Sequence, residues 1–375
     1  MANNNELNEE EFKDAVVSSS CQYTPGLVLQ LEEADMGTKQ SVVEMFTDHF
    51  LIDLDYLVIG PMISDGHYSI VYSGWYKSQP VAIKTVMPDN TAAVSPERRA
   101  KFAKEALMLS KVKHDNIVEF IGAAVEPTMV IVTELMGGGT LQKYLWGLRP
   151  NLLDLKLAIK FALDISCAME YLHSIGVIHR DLKPANLLLT NDLKKIKVAD
   201  FGLATEDTER EKTVEAGTYR WMAPELFNVE ALRKGEKKYY DHKVDIYSFS
   251  LVLWELLTNE TPFKGRNTML VAYAVANNLR PSVENIPQSI VPLLVSCWSE
   301  DPTNRPEFSE IRAFLEKFHQ SLCSEESKPI SIEQNEEGGD EVGNSERAEC
   351  EINKTIKTRM RKPGCLLRCL SCSYN

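Results

Sequence analysis

The eight residues from His179 to Asn186, HRDLKPAN, constrain this chain more than any other stretch. They bring together an acid, two cations and an amide directly before the apolar run Leu187-Leu188-Leu189. Unlike charges at this density are rarely core, because a buried charge needs a partner. Eight residues can agree with a pattern by accident, so the remaining parts of any site must follow in order along the chain.

Bulk properties set the frame. The chain has 375 residues, 44% hydrophobic and 25% charged, which is an ordinary globular balance with length for a large core. That length predicts two domains, or two lobes sharing a cleft. The net charge of −13 argues against indiscriminate nucleic-acid binding, so no nucleic-acid partner is expected. The eight cysteines show no even, extracellular-style framework, which fits reduced thiols in a cytoplasmic protein. The N-terminus is acidic (Glu6, Glu9, Glu10, Glu11), unlike a signal or transit peptide, and Ala2 breaks the myristoylation pattern. The apolar runs near 155–172 and 246–257 contain or abut charges, so neither is expected to span a bilayer.

Residues 1–54 are polar and acid-rich, and are expected to form a disordered arm whose stretch from Ser41 to Phe50 packs on the body. From residue 55 the character changes. Tyr56 to Ser64, Ser69 to Tyr76 and Gln79 to Val86 are rich in Val, Ile and Tyr, and Asp65-Gly66 and Lys77-Ser78 separate them, which predicts three antiparallel strands. Ser95-Pro96-Glu97 has a capping hydroxyl, Pro at the first helical position and acid in the first turn; Phe102, Ala106, Leu109 and Val112 then form one stripe. Ile117 to Phe120 and Met129 to Glu134 read as two more strands, ended by Gly137-Gly138-Gly139. Leu157, Phe161, Ile165 and Leu172 mark a long amphipathic helix closed by Gly176, immediately before the charged loop. Asp245 to Leu257 and Ile311 to Phe318 are helical in period. Residues 321–350 read as an acidic, disordered linker, and residues 351–375 as a basic, Cys-rich tail.

The chemistry of the charged loop suits phosphoryl transfer, which needs a carboxylate to take a proton, an amide oxygen for a divalent ion, and cations for the charge on phosphate. HRDLKPAN resembles the catalytic loop of eukaryotic protein kinases. Other segments join the resemblance in order: the loop ISDGHYSIV (63–71), the strand VAIK (81–84), Asp200-Phe201-Gly202, GTYRWMAPE (217–225) and DPTNRP (301–306). The resemblance implies an α+β, bilobal fold: a small β-rich lobe over 55–136 and a larger helical lobe over 137–320, with ATP and Mg²⁺ between them.

By that resemblance Asp181 is the catalytic base, Lys183 meets the γ-phosphate, and Lys84, oriented by Glu105, holds the α- and β-phosphates. Asn186 and Asp200 are the metal ligands. The nucleotide contacts Ile63, Ser64, Asp65, Gly66, His67, Tyr68, Ser69, Ile70, Val71, Ala82 and Leu188, with Thr133 as gatekeeper and Glu134 to Met136 as the hinge. Of the three loop positions that are glycine in the family, only Gly66 is glycine here, with serine at 64 and 69. Leu109, Phe120, His179 and Phe201 are expected to stack between the lobes, Glu225 to pair with Arg305, and Asp245 to brace the loop.

Lys183 and GTYRWMAPE point to serine/threonine specificity within the Raf-like group, of plant type, which extends to dual specificity. The expected partners are ATP and protein hydroxyls. Thr205, Thr208 and Thr213 are candidate phosphorylation sites, filled by an upstream kinase or by autophosphorylation, with Arg180 to receive the phosphate. Cys365, Cys369 and Cys372 beside six cations suit reversible acylation at an anionic plasma-membrane surface better than a zinc site or a prenylation box. The rival reading is a pseudokinase, a scaffold that binds nucleotide and partners without chemistry, to which the two missing glycines lend weight.

Overall fold

A computed structural model describes residues 50–66, 69–87, 94–206, 219–226 and 240–325. Its first part is a five-stranded antiparallel sheet of β1 (Leu57–Asp65), β2 (Ser69–Tyr76), β3 (Gln79–Val86), β4 (Phe120–Ala124) and β5 (Val130–Glu134), in the order β1-β2-β3-β5-β4. The β2–β3 turn is Lys77-Ser78, both with positive φ, as a two-residue hairpin matched to strand twist requires. Pro61 lies in β1, an edge strand, where its missing N–H costs no ladder bond on the open side. Val130 and Val132 close one small core with Ile52, Val81 and Ile83, while Ile131 between them joins the main core. That period of two explains why Val130-Ile131-Val132 is apolar on both faces of the strand.

Two expectations shift. Residues 50–54, expected in the arm, are packed: Leu51 bridges Ala123, and Ile52 N–H donates to Ala123 O at 3.0 Å. The strand expected over Ile117 to Phe120 instead starts at Phe120, because Ile117 turns away to bridge Val198. The rest of the expected arm, the linker and the tail lie outside the described residues.

Between the strands, α1 (Pro96–Lys111) lays Phe102, Ala106 and Leu109 into the main core, and Val112, which ends the helix, joins them. Ser95 takes the cap position with extended φ/ψ, but its side chain makes no cap bond.

The second part is helical. It contains α2 (Leu141–Leu148), α3 (Leu155–Ser174), α4 (Lys243–Thr258), α5 (Thr268–Ala276), α6 (Val291–Cys297) and α7 (Phe308–Glu325). Helix α3 begins at the Asp154 cap, whose carboxylate accepts from Leu157 N–H at 2.9 Å. It buries Ile159, Phe161, Ile165, Met169 and Leu172, and the chain leaves it through Gly176 at φ +73°. Helix α4 is buried from Val244 to Leu257 and forms the axis of this part. None of the described helices is long and apolar enough to cross a membrane.

Two short ribbons finish the design: β6 (Val177–Ile178) with β9 (Thr205–Glu206), and β7 (Leu187–Leu189) with β8 (Ile196–Val198). The chain between the two parts passes through Gly137-Gly138, where backbone runs against backbone. A Cβ at Gly138 would stand 2.4 Å from Thr190 O.

Candidate active site

The β7–β8 hairpin is what assembles the site. Leu187 pairs with Val198, so the residue before β7 and the residue after β8 face each other, and Ala199 N–H donates to Asn186 O at 2.9 Å. Asn186 and Asp200 are thereby brought to one place. Upstream, Gly176 sends β6 from the end of α3 straight into His179.

The loop backbone is held from α4. The buried Asp245 carboxylate accepts from His179 N–H at 2.9 Å and Arg180 N–H at 2.8 Å. Burial presses the Asp245 carboxyl upward, but its bond and charge interactions with His173 and His179 outweigh this and keep it below the usual carboxylate range. Arg180 at φ +68° and Asp200 at φ +64° adopt left-handed backbone, a cost that persists only where surroundings over-determine it. His179 supplies part of that: its ring Nε2 donates to Ala199 O, 3.1 Å away, and the ring meets that of Phe201 edge-on at 5.4 Å.

Within the loop, Asp181 Oδ2 is 2.6 Å from Lys183 Nζ and 2.9 Å from Asn186 Nδ2. Asn186 Nδ2 also donates to Asp181 O at 2.8 Å, which leaves its carbonyl oxygen for another partner. From the sheet, Lys84 shares a strand face with Ala82, opposite to buried Ile83. Its ammonium lies 2.6 Å from Glu105 Oε1 on α1 and 3.1 Å from Asp200 Oδ1. Burial alone would lower the Lys84 ammonium, yet the Glu105 and Asp200 charges together raise it. The same ammonium holds Asp200 down to about 2. Glu105 is pushed up, chiefly by its burial.

The loop over the cleft is a hairpin tip. Ser64 pairs with Val71 and Asp65 with Ile70, and Gly66 N–H donates to Ser69 O at 2.9 Å. A Cβ at Gly66 would stand 2.9 Å from that same Ser69 O, so the middle position demands glycine. Ser64 and Ser69 lie in the strands, where a side chain is tolerated. His67 and Tyr68 lie outside the described residues. Ala82 pairs with Thr133 across β3 and β5, and Leu188 pairs with Lys197. Ile63 is exposed, Val71, Ala82 and Leu188 are half-buried, and Met136 is buried.

Whether these groups suit Mg²⁺ and ATP follows from charge and space. Two carboxylates share one ammonium at Lys84, so the cleft carries an unbalanced negative charge beside a carboxamide oxygen. Hard oxygen donors with net negative charge suit Mg²⁺, and the Lys84 and Lys183 ammonium groups offer charge to phosphate oxygens. The residues fit the group.

The protein tyrosine and serine/threonine kinase family model matches residues 57–315, which includes every part of this cleft. The chain belongs to that family. It is 42% identical over 289 residues to the serine/threonine/tyrosine-protein kinase HT1 of Arabidopsis thaliana, covering 76% of this chain and 71% of that protein. It is 40% identical over 283 residues to the Arabidopsis thaliana serine/threonine-protein kinase STY46, covering 74% of this chain and 47% of that one. The serine/threonine-protein kinase VIK of the same plant is 36% identical over 282 residues, 70% of this chain and 60% of its own. The matched segment thus spans 47% of STY46 and 60% of VIK.

Several contacts of this kinase had no signature in the sequence. Glu134, expected for its backbone, also uses its side chain, accepting from Glu119 N–H at 2.7 Å and pairing with Lys197. Arg220 donates to Pro262 O, Phe263 O and Arg266 O at 2.8–2.9 Å, which fixes the start of the chain leading to Ala223-Pro224-Glu225. His173 shares Asp245 with the catalytic loop at 2.9 Å. A histidine in the last turn of a helix looks like an ordinary C-terminal cation, so only the position of α4 reveals it. The pair expected between Glu225 and Arg305, by contrast, is present as two bonds, at 2.6 and 2.9 Å. Thr205 stands in β9, and Thr208 and Thr213 lie outside the described residues.

Proposed function

We propose that the chain is an ATP- and Mg²⁺-dependent protein kinase of the Raf-like type that phosphorylates serine or threonine hydroxyls of proteins, with room for tyrosine. The observation that carries this is the convergence of Lys84, Glu105 and Asp200 on one point, beside Asp181, Lys183 and Asn186. A scaffold without chemistry has no use for a proton acceptor and two metal donors in one cleft.

Magnesium–ATP, when bound, supplies the phosphoryl group and screens its oxygens. Lys84, held by Glu105, would position the α- and β-phosphates, and Asn186 and Asp200 would hold the cation. Asp181 would orient the substrate hydroxyl and take its proton as that oxygen bonds to the γ-phosphorus and the bond to the ADP leaving group breaks. Lys183, 2.6 Å from Asp181, meets the charge that develops on the transferred group. Asp245 keeps the backbone of this loop fixed, so little reorganisation is left to the reaction itself.

The kinase domain occupies about 55–320, with its small lobe up to residue 136, and an acidic linker and basic tail follow it. Phosphorylation of Thr205, Thr208 or Thr213, by an upstream kinase or by the chain itself, orders the activation segment through Arg180. The protein is cytoplasmic and touches the plasma membrane through acylated tail cysteines. Fractionation of Cys365→Ser/Cys369→Ser/Cys372→Ser is expected to shift it to the soluble pool, and an unaltered distribution removes the anchor. For specificity, γ-labelled ATP with a peptide panel and phosphoamino-acid analysis is expected to give phosphoserine and phosphothreonine. Label confined to small molecules would overturn the assignment.

A further inference from the structure

Asp245 accepts three hydrogen bonds, and only two come from the catalytic loop. The third is from His173, whose Nε2 lies 2.9 Å from Asp245 Oδ2. The His173 side chain is 9% exposed, and its other ring nitrogen, Nδ1, is buried without a hydrogen-bond partner. A carboxylate on one nitrogen fixes the tautomer, so the lone pair sits on the other. Metal-ligating histidines are built this way, with the carboxylate raising the basicity of the ligand nitrogen.

The surroundings of His173 supply further ligands. The His242 ring stands edge-on to His173, 5.0 Å between centroids, and His242 Nε2 lies 3.0 Å from Glu307 Oε2. One donor atom from each of His173, His242 and Glu307 falls within 4.8 Å of the others. Phe308, next in the chain, closes an apolar wall on His173 at 5.1 Å. The three residues come from the last turn of α3, the residue before α4 and the residue before α7, so the fold and not the sequence assembles them.

We propose that His173, His242 and Glu307 bind a transition-metal dication of the zinc class, with water completing the coordination, at a site distinct from the nucleotide cleft. Two imidazoles and a carboxylate with one open position are a zinc ligand set, and imidazole nitrogen disfavours Mg²⁺. Tetrahedral ligands about 2.0–2.2 Å from the ion stand about 3.4 Å from one another. His242 and Glu307 are already that close, and the Glu307 side chain, 46% exposed, has room to close on His173. Lys243 opposes the ion: its ammonium is 2.6 Å from Glu307 Oε1. It engages the other carboxylate oxygen, however, and Glu307 and Asp245 together leave the locality negative. An ion on Nδ1 makes the Nε2 proton a stronger donor to Asp245, so the site steadies the acceptor that holds His179 and Arg180.

The test is calorimetric titration of Zn²⁺ near neutral pH into the full chain carrying Cys365→Ser, Cys369→Ser and Cys372→Ser, which removes competing tail thiols. The same chain with His242→Ala or Glu307→Gln is titrated beside it, and thermal unfolding is followed with and without Zn²⁺. The parent is expected to show one site that each variant weakens at least about 100-fold, beyond the usual loss of an outer partner. Zn²⁺ is expected to raise the midpoint of the parent alone. Glu307→Gln, at an exposed carboxylate, carries the comparison should His242→Ala fold poorly. Equal Zn²⁺ uptake and equal thermal response in parent and variants would overturn the site.

Discussion

Lys84 and Asp200 are 116 residues apart in sequence, yet the ammonium of one lies 3.1 Å from the carboxylate of the other. Glu105 holds the same ammonium at 2.6 Å. One cation therefore ties a strand, a helix and the end of the β7–β8 hairpin together, and removing it leaves two carboxylates facing each other.

Lys84→Met is expected to abolish useful transfer and also to destabilise the fold. Glu105 would remain as a buried, unpaired carboxylate, and Lys84 is a quarter exposed, so the cost is about 2 kcal/mol, below that of a fully buried pair. Chemical unfolding checks it. Adding Glu105→Gln should restore most of the stability and none of the activity. A double variant as unstable as the sum of the two single ones would refute the pairing.

Acid should reach Asp200 late. Its carboxyl is held at about 2, against an ordinary 3.8, first by the Lys84 charge. A depressed folded value gives stability that is present above the ordinary range and lost as pH falls through about 4 to about 2. Because the Asp200 side chain is 46% exposed, solvent screens the pair and the term is about 1 kcal/mol. Asp200→Asn should therefore narrow its stability gap to the parent as the pH is lowered through that window. A gap that does not change would count against the ion pair.

Glu225→Ala strands a cation that cannot shed its proton. The Arg305 side chain is fully buried, and its guanidinium gives two bonds to Glu225. A loss of about 3–5 kcal/mol is expected from the unfolding midpoint, as for a broken buried pair. A loss under about 1 kcal/mol would mean that the pair is merely superficial.

Glu255 behaves in the opposite sense to Asp200. It is 1% exposed, and burial pushes it up to about 7, with the Arg149 guanidinium at 3.3 Å opposing. A raised folded value gives stability that is complete below about 4.5 and is lost as pH rises through about 7. Glu255→Gln should flatten that slope and gain about 2–3 kcal/mol relative to the parent between pH 5 and about 8. Parallel pH profiles for the two proteins would contradict it.

What the sequence disclosed depended on how local the signal was. β2 and β3 end where Lys77-Ser78 says they should, because a two-residue turn fixes both register and length. The charged loop from His179 to Asn186 was conspicuous by itself, whereas Lys84, Glu105 and Asp200 were placed by the ordered resemblance to protein kinases, since a lone strand lysine or turn acid is commonplace. Ile117 misled because an apolar residue that bridges Val198 looks the same as one in a ladder. His173, Glu255 and Arg220 stayed hidden, because their partners lie distant in sequence and no periodicity links them. Gly66 is the middle case. Its place in the loop was legible, but why serine suffices at 64 and 69 appeared only with the hairpin register.

The most direct test of phosphoryl transfer through Asp181 is the rate at which γ-labelled ATP labels protein, with the parent and Asp181→Asn side by side in Mg²⁺. The parent is expected to label serine or threonine, and the variant to be slower by at least about 100-fold while its nucleotide binding is retained. Equal rates in the two proteins, or a parent that binds nucleotide and Mg²⁺ and labels no polypeptide, would contradict it.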